Sequence, residues 1–179
     1  MSKQIILHRH TNIEAFREIL RASARQTEVQ IAEASKSDGP LSLMFKMKFE
    51  SVGCDPLDRS RKLNLIEQLN QTFTYLASFN GAEYLFGRHP EIQTLTLNLG
   101  NRAGWDIETS EDGGVVAEVF AAVTPQNNQK LVKDIEKVSA STTAHRYVLF
   151  MSPGWVAGVY RSPADYGGVT VWSLGCDRL

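Results

Sequence analysis

Two carboxylates separated by a turn are the residues of this chain best suited to chemistry. Asp106 closes one apolar run, and Glu118 stands inside Val115-Val116-Ala117-Glu118-Val119-Phe120-Ala121-Ala122-Val123, whose β-branched content predicts a buried strand. Asp112-Gly113-Gly114 supplies turn chemistry between them, so residues 106 to 118 read as a β-hairpin in which the carboxylates can meet. Oxygens so placed suit Mg²⁺, which takes one or two protein carboxylates and fills its octahedron with water and phosphate oxygens; Mn²⁺ can substitute. Such an ion can activate a water and stabilise the leaving oxygen of a phosphodiester. Glu118 carries the most weight, because a carboxylate between Val116 and Phe120 is costly to bury unless a cation or hydrogen bonds compensate it. The plainer alternative makes Asp106 a turn residue and Glu118 an internally paired acid.

The elements that must position these groups follow from periodicity. Residues 63 to 86 read as a helix with Leu65, Ile66, Leu69, Phe73, Leu76 and Ala77 inward, beside a polar stripe of Glu67, Asn70, Gln71 and Thr74. Its aromatics Phe73, Tyr75, Phe79, Tyr84 and Phe86 read as packing. Gly87-Arg88-His89-Pro90 ends it, and Leu95, Leu97 and Leu99 alternate with polar residues in a strand that leads into the hairpin. After Thr124-Pro125, Asn127 or Asn128 can cap a helix carrying Leu131, Ile135 and Val138, and free N–H groups at its start favour a phosphate. Arg146 to Met151 then reads as a buried strand, stopped by Ser152-Pro153-Gly154.

This arrangement resembles the PD-(D/E)XK nuclease superfamily over residues 63 to 152: an Asp, a hairpin, then a Glu-X-Lys position, followed by a helix and a strand. The resemblance implies an α/β fold with a restriction-endonuclease-like α-β-β-β-α-β core and a mixed central sheet. It also implies a Mg²⁺-dependent hydrolase in which Asp106 and Glu118 bind metal and Glu67 supplies a third carboxylate. The chain departs from the pattern at Phe120, where the family has its lysine. Some members move that lysine to a neighbouring element, which makes Lys130 the first candidate for the catalytic lysine and Lys133 the second. The spacing of Lys130, Lys133 and Lys137 fits a solvated helix face equally. Nucleic acid, DNA in preference to RNA, is the implied partner, with Asn127, Asn128 and Arg146 as phosphate contacts and Arg161 as a further basic candidate. The alternatives are a nuclease-fold module that has lost catalysis and binds nucleic acid or a protein, and a structural homodimer.

The rest of the chain bounds these readings. Its 179 residues with 42% apolar content suffice for one substantial core, read as an N-terminal extension (1–62), the nuclease-like core (63–152) and a C-terminal β extension (153–179) within one globular domain. The formal charge of −1 gives no global attraction to nucleic acid, so any contact depends on a local basic patch. Cys54 and Cys176 have no metal-ligand spacing and no signal peptide precedes them, which fits a reduced cytoplasm. No apolar run reaches the roughly 18 residues needed to span a membrane.

At the N-terminus, Ile5-Ile6-Leu7 reads as an edge strand, with His8 and His10 on one face as conceivable metal ligands. Thr11 with Glu14 forms a capping box for a helix ending between Arg25 and Lys36. Alternation of Leu41, Leu43, Phe45, Met47 and Phe49 with their neighbours predicts a half-buried strand, and Cys54 to Lys62 a polar connector. Trp155–Arg161 and Val169–Leu174 read as two strands that extend the sheet or swap into a partner subunit.

Overall fold

The computed structural model describes residues 3–36, 39–100, 104–109, 114–161 and 166–177. In chain order its elements are β1 (Lys3–His8), α1 (Ile13–Ala34), α2 (Pro40–Phe49), β2 (Gly53–Asp55), β3 (Asp58–Leu63), α3 (Leu65–Arg88), β4 (Thr94–Leu99), β5 (Ile107–Glu108), β6 (Val115–Ala121), α4 (Lys130–Ser139), β7 (His145–Met151), β8 (Gly158–Arg161) and β9 (Val169–Ser173). The fold is α/β. Two compact units divide the chain, one formed by residues 1–11 and 77–179 and the other by residues 12–76, so the boundary falls inside α3.

The larger unit is built on a seven-stranded mixed sheet of order β1-β4-β5-β6-β7-β9-β8. β6–β7 and β7–β9 pair in parallel and the other neighbours antiparallel. From α3 to β7 the order of elements is α-β-β-β-α-β. The C-terminal strands join the sheet of their own chain, β9 beside β7. Both helix-facing sides are apolar. On one, Phe120, Val148, Phe150, Val169 and Val171 pack with Leu131, Ile135 and Val138 of α4. On the other, Gly81 of α3 lies so near Leu149, Ile107 and Val119 that an added Cβ would sit 2.9 Å from Leu149 Cδ1. Alternation along β6 and β7 therefore sends Glu118 and Phe120 toward α4, and Val119, Tyr147 and Leu149 toward α3.

The smaller unit holds α1, α2, the β2–β3 hairpin and the first half of α3. A buried polar knot ties three of these elements together. Gln68 Oε1 accepts from Thr27 Oγ1 (2.7 Å) and the Cys54 N–H (2.9 Å), while Gln68 Nε2 donates to Ser23 Oγ (3.1 Å). Gly53 is required beside it, because a Cβ there would lie 2.2 Å from Gln68 Oε1.

Several local expectations are overturned in this unit. Residues 41–49 form helix α2, because Pro40 suits the first helical turn and Leu41, Phe45 and Phe49 satisfy a spacing of four as well as an alternation of two. No residue of α2 is buried. Cys54 to Lys62 is a hairpin whose turn is made by the buried Asp55, with Oδ1 accepting from Leu57 N–H (2.9 Å) and Asp58 N–H (3.1 Å). Thr11 does not cap α1; its hydroxyl accepts from His8 N–H (2.9 Å), and Glu14 pairs with Arg17 and Arg21. Ile66, Leu69 and Phe73 are exposed, and the buried side of α3 begins at Gln68 and continues through Tyr75 and Leu76.

Candidate functional site

Register brings the two carboxylates together. Ile107 pairs with Ala117, so the antiparallel register carried one step further sets Asp106 opposite Glu118 on the face that looks toward α4. The hairpin is anchored on β4: Asn98 N–H donates to Asp106 O (2.9 Å), and Asn98 Nδ2 donates to Trp105 O (2.8 Å) and Glu108 Oε1 (2.9 Å). Asp106 Oδ2 accepts from Val119 N–H (2.8 Å). The predicted Asp112-Gly113 turn lies outside the described residues, although Thr109 N–H still reaches Val115 O at 3.1 Å.

Helix α4 supplies the surroundings. Lys130, Asp134 and Lys137 follow one another along it at spacings of four and three, Asp134 buried and the two lysines reaching in from its solvent margin. Lys137 Nζ lies 2.6 Å from Glu118 Oε1, donates to Gly104 O (2.8 Å) and sits 5.4 Å from the centre of the Trp105 ring. Lys130 Nζ donates to Asp134 Oδ1 (2.6 Å) and lies 5.8 Å from the centre of the Phe120 ring. Three carboxylates and two ammonium groups therefore share one neighbourhood. Burial, then the charge of Glu118, pushes the Asp106 carboxyl up to about 6, against the pull of the Val119 N–H, Lys130 and Lys137. Burial likewise raises Asp134, opposed chiefly by Lys130.

The other predicted residues lie elsewhere. Lys133 is exposed on α4 and reaches only Asn128 O, at 3.5 Å. Asn127 and Asn128 occupy an exposed 3-10 turn, and neither caps α4; the cap position is Gln129 in the left-handed region (φ 58°), with no side-chain cap. Asn128 is itself left-handed (φ 52°), so this turn is not the simple helix start expected. Arg146 sits at the opposite end of α4, donating to Ser139 O (3.3 Å) and Gly167 O (3.1 Å). Glu67 belongs to the smaller unit, exposed in the first turn of α3, where Asn64 Oδ1 accepts from its N–H (2.8 Å). The Arg161 side chain lies outside the described residues.

Sequence reasoning did not select Lys137, Asp134 or Asn98 for the site. The α4 periodicity that buries Leu131, Asp134, Ile135 and Val138 was a usable signal, because an acid among those positions needs a partner.

Among the described residues, Glu118 Oε1 and Asp134 Oδ2 are buried without a hydrogen bond, the Lys137 ammonium being close to Glu118 but out of line. Two carboxylates opposite each other across the hairpin, with Glu118 Oε1 ion-paired to Lys137 but accepting no hydrogen bond, are a donor set for a divalent ion that keeps several waters, so Asp106 and Glu118 would be its holders. A cleft of about 750 Å³ lies elsewhere, lined by Asn80, Glu83, Tyr84, Arg88 and Trp172. Tyr84 stacks on Trp172 there at 4.6 Å, on the α3 side of the sheet, so the cleft is not part of the carboxylate site. No protein-family model, no curated protein and no solved structure matches the chain.

Proposed function

We propose that this chain is a divergent PD-(D/E)XK-like protein that hydrolyses phosphodiester bonds of nucleic acid with Mg²⁺, with Lys137 in place of the lysine that Phe120 displaces. The observation that carries this reading is the Lys137 ammonium 2.6 Å from Glu118 Oε1, a cation delivered by the following helix to the carboxylate that the motif would pair with lysine. Asp106 and Glu118 would hold the ion. A bound Mg²⁺ supplies Lewis acidity and lowers the pKa of its water. Lys137, half exposed, is placed to release Glu118 and turn toward the charge that develops on a scissile phosphate. Lys130 keeps Asp134 neutralised and adds positive potential at Asp106. Phe120 cannot take part, being stacked on Phe150 in the α4 core with ring centres 5.9 Å apart.

The second reading is a module that keeps this architecture, binds nucleic acid or a protein, or forms a homodimer, and does not cleave. It is favoured by the same ion pairs, since Lys137 with Glu118 and Lys130 with Asp134 leave the charges mutually compensated.

Cleavage of plasmid, linear and single-stranded substrates with Mg²⁺ or Mn²⁺ separates the two. The expected result is metal-dependent cleavage that falls at least about 10²-fold in Glu118→Gln and in Lys137→Gln, the usual cost of removing a group that stabilises the transition state. Circular dichroism of the same preparations checks that both variants are folded. A folded wild type that cleaves none of the substrates, or equal cleavage by wild type and Glu118→Gln, would sink the nuclease reading.

A further inference from the structure

On the opposite side of the sheet from Asp106 and Glu118, three metal-ligating side chains converge. His89 follows the last turn of α3, Glu91 lies two residues on, and His145 opens β7. One donor atom from each lies within 4.8 Å of the other two. His89 Nδ1 is 3.1 Å from Glu91 Oε1, and the rings of His89 and His145 are 4.3 Å apart between centres. Two ligands each about 2.0–2.2 Å from one tetrahedral ion stand a little over 3 Å apart, so the His89–Glu91 pair is already at ligand spacing. His145 needs only a small side-chain movement to complete the set.

The surroundings hold this geometry. Arg9, the residue after β1, donates to Phe86 O (2.8 Å), to His89 O and to Ile92 O (2.9 Å), fastening carbonyls at and just past the end of α3 and fixing the turn on which His89 and Glu91 sit. The other nitrogen of His89, Nε2, lies 2.8 Å from the Tyr147 hydroxyl, and Tyr147 is two residues from His145 on the same face of β7. As it stands the Nδ1–Glu91 contact is a hydrogen bond in which Nδ1–H donates to the carboxylate; with Nε2–H donating to Tyr147 instead, the Nδ1 lone pair would be free for an ion, the outer hydrogen bond that metal-bound histidines ordinarily make. His89 is buried, His145 half-buried and Glu91 exposed, so the group opens to solvent on the Glu91 side.

We propose that His89, Glu91 and His145 form a site for a borderline transition metal ion, Zn²⁺ in the first instance, with Tyr147 orienting His89. Two imidazoles and one carboxylate match such an ion better than Mg²⁺, and three protein ligands leave a coordination position for water. This assignment is independent of the nuclease reading, because the residues lie on the other face of the sheet.

The test is titration of chelator-treated full-length protein with Co²⁺, followed by visible absorbance, and with Zn²⁺, followed by calorimetry. With excess Mg²⁺ present throughout to fill any site at Asp106 and Glu118, one equivalent is expected to bind, with the Co²⁺ bands of a low-coordinate site. His145→Ala and Glu91→Gln, both outside the buried core, should each weaken binding at least about 10-fold, and Tyr147→Phe by about 10- to 100-fold. Leu41→Ala, on the exposed helix α2, should leave the titration unchanged. Failure of the wild type to bind either ion, or binding that survives both His145→Ala and Glu91→Gln, would overturn the assignment.

Discussion

Asp106 is the residue whose environment most changes its chemistry. Its ordinary value is 3.8 and the fold pushes it to about 6, so between those values the folded chain holds more protons than the unfolded one. Stability from this group is therefore present at low pH and is lost as pH rises through about 6. The difference of roughly two units corresponds to at most about 3 kcal/mol, smaller where solvent reaches the half-buried side chain. Asp106→Asn keeps an oxygen for the Val119 N–H and removes the charge, so it should raise Tm by several degrees at pH 7.5 and leave it nearly unchanged at pH 4. Thermal melts at the two pH values check this; an equal shift at both would show that the charge is not the cause. Metal held by Asp106 and Glu118 must displace the same proton, so binding near pH 6 should also release protons. At this scale the sequence identified Asp106 and Glu118 but not the lysine that reaches them. All three α4 lysines share the helix-face pattern, and only the crossing of α4 over β6 brings the ammonium of the exposed Lys137 to Glu118 and leaves Lys133 away from it.

At the scale of elements, burial separates positions that look alike in the sequence. Leu149 in β7 is fully buried against the Gly81 turn of α3, whereas Leu41 in α2 is 82% exposed. Leu149→Ala should cost about 2–5 kcal/mol, combining lost transfer energy with a cavity, and Leu41→Ala should stay within about 0.5 kcal/mol. Urea unfolding of the two variants is the measurement, and comparable losses would show that α2 is covered in solution. The strands and helices that carry the candidate site follow from the sequence because each is a long run whose buried positions are mostly apolar: α3, β4, β6, α4 and β7 occupy nearly the spans expected. The elements misread are those whose residues declare no single period. Residues 41–49 satisfy both a helical and an alternating pattern, and the β2–β3 turn depends on the Asp55 side chain in place of a glycine-based turn.

For the molecule as a whole, the near balance of 19 basic and 20 acidic side chains limits what electrostatics can do. The basic residues at the candidate site are engaged by Glu118, Asp134 and backbone carbonyls. Random duplex DNA at physiological salt should consequently bind no more tightly than about 10⁻⁴ M, the weak end of nonspecific binding. Fluorescence anisotropy with a short duplex measures it; micromolar binding with a steep salt dependence would reveal a basic surface that the charge balance conceals. No helix among the described residues is long and apolar enough to cross a membrane, in keeping with the absence of long apolar runs in the sequence.

By itself the sequence determined the α/β class, the order of the core elements and the facing of Asp106 and Glu118 across a hairpin. Those properties are local: hydrophobic period and strand alternation are written over stretches of 7 to 24 residues such as β6 and α3. Tertiary structure alone decided that Lys137 meets Glu118, that Asn98 anchors the hairpin, and that His145 arrives beside His89 from 56 positions away. Each of these depends on how one element crosses another. Such crossings are set by the packing of whole faces, and no single stretch of the chain records them.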